Sequence, residues 1–213
     1  MAETTLTAQL DQGLAALSLD LDQAARDKLI SYLGLLVKWN RVYNLTAVRK
    51  PEDMIGLHLL DSLAVLPHLP EAGTLLDVGT GGGLPGIPLA IVRPRLNITL
   101  LDSLQKKTTF VRQAAGELTL KNANVVCERV EQYRPPEKFQ HIISRAFSAL
   151  ADFVQGVEHL LAPDGTLLAM KGLNPHDEIM NLPPTFVVSK TIKLNVPQVD
   201  GSRHLIVLKR GLQ

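Results

Sequence analysis

A short apolar run, Thr74-Leu75-Leu76, ends in the acid Asp77 and collapses into Val78-Gly79-Thr80-Gly81-Gly82-Gly83-Leu84-Pro85-Gly86. The chemistry open to such a stretch is recognition, because glycine admits backbone angles closed to other residues and lets a ligand lie against bare main chain. Four glycines in the five positions 79–83, directly after a strand-like run, suit a cradle for a nucleotide-like cofactor. A mobile turn alone would look similar. The next segments argue against it: Gly86 to Arg93 is an apolar helical stretch, and Asn97-Ile98-Thr99-Leu100-Leu101-Asp102 is a second strand that again ends in an acid. Asp102 stands near the ~20-residue spacing at which an acid receives a ribose hydroxyl pair in a βαβ unit.

Two overlapping frames compete for the glycines. Gly81-x-Gly83-x-x-Gly86 satisfies the dinucleotide fingerprint by spacing alone. Asp77-x-Gly79-x-Gly81-x-Gly83 instead sets a carboxylate at the carboxyl end of the first strand, where it repels a pyrophosphate and attracts a cation. S-adenosylmethionine carries a sulfonium and an ammonium and no phosphate. The motif begins roughly a third of the way along the sequence, and the residues after Asp102 leave no room for a separate catalytic domain. A methyltransferase is therefore favoured over a dehydrogenase, with Asp77, Gly81 and Asp102 as candidate cofactor contacts.

Other reactive groups carry less. Cys127 lies in an apolar strand and is expected to be a buried small hydrophobe, not a nucleophile. His58, Asp61 and Ser62 share a helical face, where a polar or hydrogen-bonded structural group is the stronger reading; they are assigned no catalytic role. Trp39 and Tyr43, one helical turn apart, suit either core packing or a base-stacking platform, and core packing is expected. No metal set is expected. The net charge of +1 says little, but its distribution says more. Residues 26–50 hold Arg26, Lys28, Lys38, Arg41, Arg49 and Lys50 against Asp27 alone, whereas 1–24 hold only acids. Further basic groups come after Asp102 and enrich the C-terminal end, so an anionic partner is expected, with Lys38, Arg41, Lys106, Lys107, Arg112, Lys171 and Arg203 as candidate phosphate contacts.

Elements must hold these groups in place. At 213 residues and 46% hydrophobic, the chain is long enough for one full core with a modest appendage. Leu6, Leu10, Leu14 and Leu17 share one face of a short helix. Asp22 caps a longer one that carries Leu29, Leu33, Leu36 and Val37. Lys50-Pro51-Glu52-Asp53 starts a further helix, which Pro67 stops after Leu66. From Thr74 onward strands are expected near 74–78, 97–102, 124–127, 139–144 and 165–170, with helices near 86–92, 105–118 and 149–161. The β-branched runs Phe186–Leu194 and His204–Leu208, joined through Val199-Asp200-Gly201-Ser202, form a terminal hairpin. The expected architecture is α/β: a Rossmann-like, mostly parallel sheet closed by an antiparallel hairpin, the class I S-adenosylmethionine-dependent methyltransferase fold. It divides into a helical N-terminal extension (1–71) packed on a methyltransferase domain (72–213). The single cysteine excludes an internal disulfide framework, and the start Met-Ala-Glu-Thr-Thr lacks a secretory pattern, so a cytoplasmic protein is expected. No apolar run approaches the ~18 residues of a membrane span.

The motifs together resemble those of the bacterial RsmG (GidB) family, from about Leu29 to Lys209. The resemblance is carried by Leu76 to Ala90, Trp39-Asn40-x-x-Tyr43-Asn44-Leu45-Thr46, His58-x-x-Asp61-Ser62, Leu101-Asp102-Ser103 and Ile143-Ser144-Arg145-Ala146-Phe147. It implies methylation of N7 of one guanosine in 16S (small-subunit) ribosomal RNA, with S-adenosylmethionine as donor. It also implies that Gly79 and Leu84 line the methionine side of the cofactor, that Val130 and Glu131 lie by the adenosine, and that Arg145 closes the site. Separately from the resemblance, a monomer is expected. Gly82, where the family has proline, departs from the pattern and should loosen the loop slightly. Guanine N7 has an in-plane lone pair and no proton at neutral pH, so attack on the methyl needs no general base. In keeping with that, Asn174-Pro175-His176 fails as an Asn-Pro-Pro-Tyr type motif. Two readings from other classes remain: a nicotinamide-dependent oxidoreductase of a small metabolite, and a cofactor-binding RNA scaffold without turnover.

Overall fold

A computed structural model describes residues 2–145, 147, 149–173 and 175–211. Ala146 of the Ile143–Phe147 motif and Asn174 of the Asn174-Pro175-His176 tripeptide lie outside the described residues.

Two helices open the chain, α1 (Ala2–Ala16) and α2 (Gln23–Tyr43). Asp22 caps α2 as its spacing implies, its carboxylate accepting from the Ala25 amide at 2.7 Å. Asn44 ends α2 in the left-handed region with φ of 49°. The next helix begins at Pro51, as α3 (Pro51–Met54), but widens into a π-helical stretch (Ile55–Leu60) before one last turn, α4 (Asp61–Leu63). Helix thus ends at Leu63 and not at Leu66. Pro67 sits inside a 3₁₀ turn (Leu66–His68), where its fixed φ starts the turn instead of stopping a helix.

The alternating part comes next: β1 (Gly73–Val78), α5 (Gly86–Val92), β2 (Leu96–Asp102), α6 (Gln105–Glu117), β3 (Ala123–Cys127), β4 (Phe139–Ser144), α7 (Leu150–Val157), β5 (Leu161–Lys171), α8 (His176–Met180), β6 (Phe186–Leu194) and β7 (Arg203–Arg210). The strands order as β3-β2-β1-β4-β5-β7-β6. The first five are parallel, and β7 pairs antiparallel with both β5 and β6. This is the expected architecture. Three details differ. Strand β5 starts at Leu161, ahead of the expected 165, because Pro163-Asp164-Gly165 lies within an irregular pairing that sets Phe139 opposite Leu161 and His141 opposite Thr166. Helix α8 has no counterpart among the expected helices. Cys127 is exposed, contrary to expectation, because β3 is an edge strand covered less fully than the centre.

Along β1, Leu75 and Leu76 point to opposite faces, and each finds a separate apolar layer. Leu75, Ile98, Leu100 and Ile143 pack with α1, α2, α5 and α6, while Leu76, Val78, Leu101 and Ile142 pack with α7. The N-terminal helices therefore share the layer of α5 and α6. Leu29, Leu33 and Leu36 are buried there, each contributing about 1.5–3 kcal/mol by leaving water, with the Tyr32 ring buried beside them. The chain runs outward from β1 to β3 and returns to β4 on the other side of β1, so the strand order reverses at the carboxyl ends of β1 and β4. That crevice is where open α/β sheets take their ligands.

Candidate functional site

Between β1 and α5 the glycine loop turns sharply, with φ of +69° at Gly79, +59° at Gly81 and +88° at Gly83. These are angles that L side chains resist. The Gly79 and Thr80 amides donate to the Leu101 carbonyl at 2.9 and 3.0 Å, which ties the loop to the end of β2. From below, Tyr32 on α2 donates its hydroxyl to the Gly82 carbonyl at 2.5 Å. The looseness expected at Gly82 is thus offset by a clamp from the N-terminal helices.

Asp77 has no exposed surface. Its Oδ2 accepts from the Thr80 hydroxyl at 2.6 Å and from the Gly86 amide at 2.9 Å, while the buried Oδ1 has no partner among the described residues. Burial pushes its pKa up to about 6, against the Thr80 and Gly86 hydrogen bonds and the Arg145 charge. Gly86 is obligatory for this brace, since a Cβ there would lie 2.7 Å from Asp77 Oδ2 and 2.6 Å from Leu100 Cδ2. Asp102 braces the other side, accepting from the Gly81 amide at 3.0 Å and the Leu104 amide at 2.9 Å, with the Lys107 ammonium 3.6 Å away.

A cavity of about 290 Å³ opens beside the loop. Val78, Gly79, Asp102, Ser103, Leu104, Lys107, Val130, Glu131 and Phe147 are among its walls. Of the candidate cofactor residues, Gly79, Asp102, Val130 and Glu131 come together here. Gly81 adjoins through its bond to Asp102, Asp77 lies beneath the loop, and Leu84 is backed into the apolar layer. Ser103, Leu104 and Phe147 are further lining residues that sequence reasoning missed, although Ser103 comes directly after the acid.

Arg145 lines a second cavity of about 370 Å³, with His58, Asp61, Lys171 and Arg203. Asp61 is nearly buried and accepts from Arg145 Nη1 at 3.0 Å and Arg203 Nε at 3.1 Å, one guanidinium on each oxygen. Burial raises its pKa, and the two guanidiniums oppose that rise. Lys171 donates to Glu178 at 2.7 Å and to the Phe147 carbonyl at 3.2 Å. His58 Nδ1 lies 2.9 Å from the Leu57 carbonyl and Nε2 lies 2.8 Å from the Thr46 hydroxyl. Both nitrogens are engaged by a neutral ring that donates through Nδ1 and accepts through Nε2, and burial pushes its pKa down to about 4. The structural reading of His58 and Asp61 thus gains geometry, but Asp61 proves to be a double ion-pair centre that its sequence context did not announce.

The candidate phosphate contacts separate into three places. Lys107 belongs to the first cavity beside Asp102, and Lys171 and Arg203 to the second. Lys38 and Arg41 on α2 and Lys106 and Arg112 on α6 are exposed on neighbouring helices, which Trp39 and Phe110 join with ring centroids 5.6 Å apart. Trp39 is half-buried as a core residue should be, but Tyr43, stacked on it at 5.2 Å, is 41% exposed and so departs from the core expectation. Among the described residues no group of three or more His, Cys, Asp or Glu could hold a metal ion, and no helix is long and apolar enough to cross a membrane.

The family model described as GidB, rRNA small subunit methyltransferase G, matches residues 25–206. The chain belongs to this family. It is 53% identical over 203 residues to Ribosomal RNA small subunit methyltransferase G of Chromobacterium violaceum, covering 95% of this chain and 97% of that one. It is 54% identical over 202 residues to the protein of the same name in Methylobacillus flagellatus, covering 94% and 96%. Among solved structures, TrmN from Thermus thermophilus is similar with a TM-score of 0.59 at 21% identity, covering 81% of this chain and 53% of that one. The N-methyltransferase NodS from Bradyrhizobium japonicum, solved with S-adenosyl-L-homocysteine, gives 0.57 at 13% identity, covering 84% and 99%. At those identities the structures speak for the fold alone.

Proposed function

We propose that this family member transfers the methyl group of S-adenosylmethionine to N7 of a guanosine in small-subunit ribosomal RNA. The observation that carries the cofactor reading is the pairing of a glycine cradle with two acids at the ends of adjacent strands, set at the reversal of strand order. The residues suit this cofactor. Gly79 offers bare main chain, and a buried carboxylate with an unpartnered oxygen lies under the loop to favour a cation. Each Asp102 oxygen accepts one amide and keeps capacity for a further donor, which is what a ribose diol requires. Val130 and Phe147 add apolar wall for an adenine, and Glu131 stands at its rim.

When bound, S-adenosylmethionine supplies the electrophilic methyl. The protein's task is then to hold the acceptor nitrogen in line with that methyl and keep water out. No proton has to move, which agrees with a neutral His58 whose two ring nitrogens are already committed. A nicotinamide cofactor fits less well, because its pyrophosphate would face the Asp77 charge. In this reading residues 1–71 are an extension that braces the cradle through Tyr32. Residues 72–213 form the transfer domain, and the protein is a cytoplasmic monomer that acts on ribosomal RNA or an assembly intermediate. Calorimetry tests the cofactor: S-adenosylmethionine or S-adenosylhomocysteine should bind and NAD should not. NAD binding without an S-adenosylmethionine signal would overturn the assignment.

A further inference from the structure

We propose that the second cavity receives the target guanosine nucleotide, with Arg203 and Arg145 holding its phosphate and Asp61 fixing both guanidiniums. The choice of occupant rests on the methyltransferase reading; the pocket itself rests on geometry. The two cavities are neighbours in the chain as well as in space: Arg145 lines one and Phe147, two positions on, lines the other. Lys171, from the second cavity, donates to the carbonyl of Phe147, from the first, at 3.2 Å and so links the two. Whatever occupies the second cavity therefore lies next to the methyl donor.

Its charge suits one phosphate. Arg145 and Arg203 share the carboxylate of Asp61, and Lys171 pairs with Glu178, so among the described residues of these ion pairs three cations meet two carboxylates. Asp61 takes one N–H from each guanidinium, and each retains donors in the planar fork that matches phosphate oxygens. The volume of about 370 Å³ lies within the range of roughly 300–1,000 Å³ typical of small-ligand pockets, and is too small for a folded segment of a protein partner. Met170 and Leu194 give the remaining wall an apolar character suited to a base face, and the neutral His58 adds no charge there. Asp61 acts here as a positioning residue. It ties a side chain just after β4 to another from β7 across a buried carboxylate.

The test uses the full chain and its Arg203→Lys and Arg203→Gln variants, since Arg203 does not line the first cavity. Small ribosomal subunits from cells lacking the gene serve as substrate, and calorimetry reads S-adenosylhomocysteine affinity. The proposal expects cofactor affinity within about twofold of wild type and kcat/KM for subunits lowered about tenfold or more in Arg203→Gln. Arg203→Lys should recover only part of the loss, because a point charge lacks the fork. If Arg203→Gln melts early through the loss of one Asp61 partner, Arg203→Lys carries the test, as it keeps a cation beside that carboxylate. Wild-type kcat/KM in the folded variant overturns the proposal. So does an equal loss of cofactor affinity, which would assign the cavity to the methyl donor. In parallel, 5′-GMP is titrated into the S-adenosylhomocysteine-loaded chain and followed by saturation-transfer NMR. Wild type should bind it and Arg203→Lys should bind it about tenfold more weakly; no binding to wild type, or equal binding by both, overturns the pocket. GMP binding through Arg203 in a chain that methylates no subunit would sink the methyltransferase reading and leave the pocket standing.

Discussion

The two cavities are built by different means. The first is made largely of backbone: glycines in the left-handed region, and carboxylates that each brace amides of the same loop or the next one. The second is made of side-chain charge, with one buried carboxylate gathering guanidiniums from two distant elements. A backbone site is set by local conformation and resists change at glycine. A charge-gathered site is set by partners, and removing one partner strands the others.

The largest effect should come from stranding. Asp61→Ala leaves two partly buried guanidiniums without their shared carboxylate and should destabilise the fold by about 3 kcal/mol. Urea unfolding measures it, and a cost below about 1 kcal/mol would show the pairs to be surface-like. Next is Arg145→Lys, which replaces a fork by a point charge beside Asp61. Its ligand-free melting curve should be unchanged while methylation falls about tenfold to a hundredfold. Wild-type methylation would make Arg145 an ordinary structural ion pair. In the first cavity, Asp102→Ala should weaken cofactor binding about tenfold by removing an acceptor worth ~1.5–3 kcal/mol to a hydroxyl pair. Unchanged affinity by calorimetry would leave Asp102 with only its loop-bracing role.

The ease of reading the two regions obeys the same division. The Asp77 loop and Asp102 were legible because spacing within one βαβ unit fixes them, and the central strands β1 and β2 were legible because both their faces are covered and their runs are mostly apolar. Asp61 was not, since its partners stand 84 and 142 residues away and only the sheet order brings them together. Val130 and Glu131 were reached through resemblance, as a half-buried valine and an exposed acid after β3 carry no pattern of their own. Cys127 misled because an edge strand keeps the apolar sequence of a central one while losing its cover. The ends of α4 and β5 were misplaced because proline starts a 3₁₀ turn in one case and is carried through an irregular strand pairing in the other.

Proton linkage sharpens the contrast further, because the two regions titrate with opposite sign. Asp77, with its pKa raised to about 6, contributes stability that is present below about pH 4 and lost as pH rises through 6. His58, lowered to about 4, contributes stability that is present above about pH 6.5 and lost as pH falls toward 4. Between these limits the two should nearly cancel. Asp77→Asn should turn the pH dependence of urea midpoints toward a rise with pH, and His58→Gln toward a fall. Identical slopes in both variants would contradict the assigned protonation states.

The smallest effect belongs to Gly82, which lacks the positive φ of its neighbours. A Cβ there would meet Leu36 Cδ1 at 3.2 Å, a contact that a side-chain end can relieve. Gly82→Ala should change stability by no more than about 0.5–1 kcal/mol, partly through the unfolded chain. A loss comparable to that of Asp61→Ala would mean that the Tyr32 clamp tolerates no shift of the loop.

Methyl transfer to guanine N7 is tested most directly by mapping N7-methylguanosine in small-subunit ribosomal RNA from cells with the gene, without it, and with it restored. One N7-methylguanosine should be present, absent and present again in that order. Its persistence in the cells that lack the gene would contradict the proposed activity.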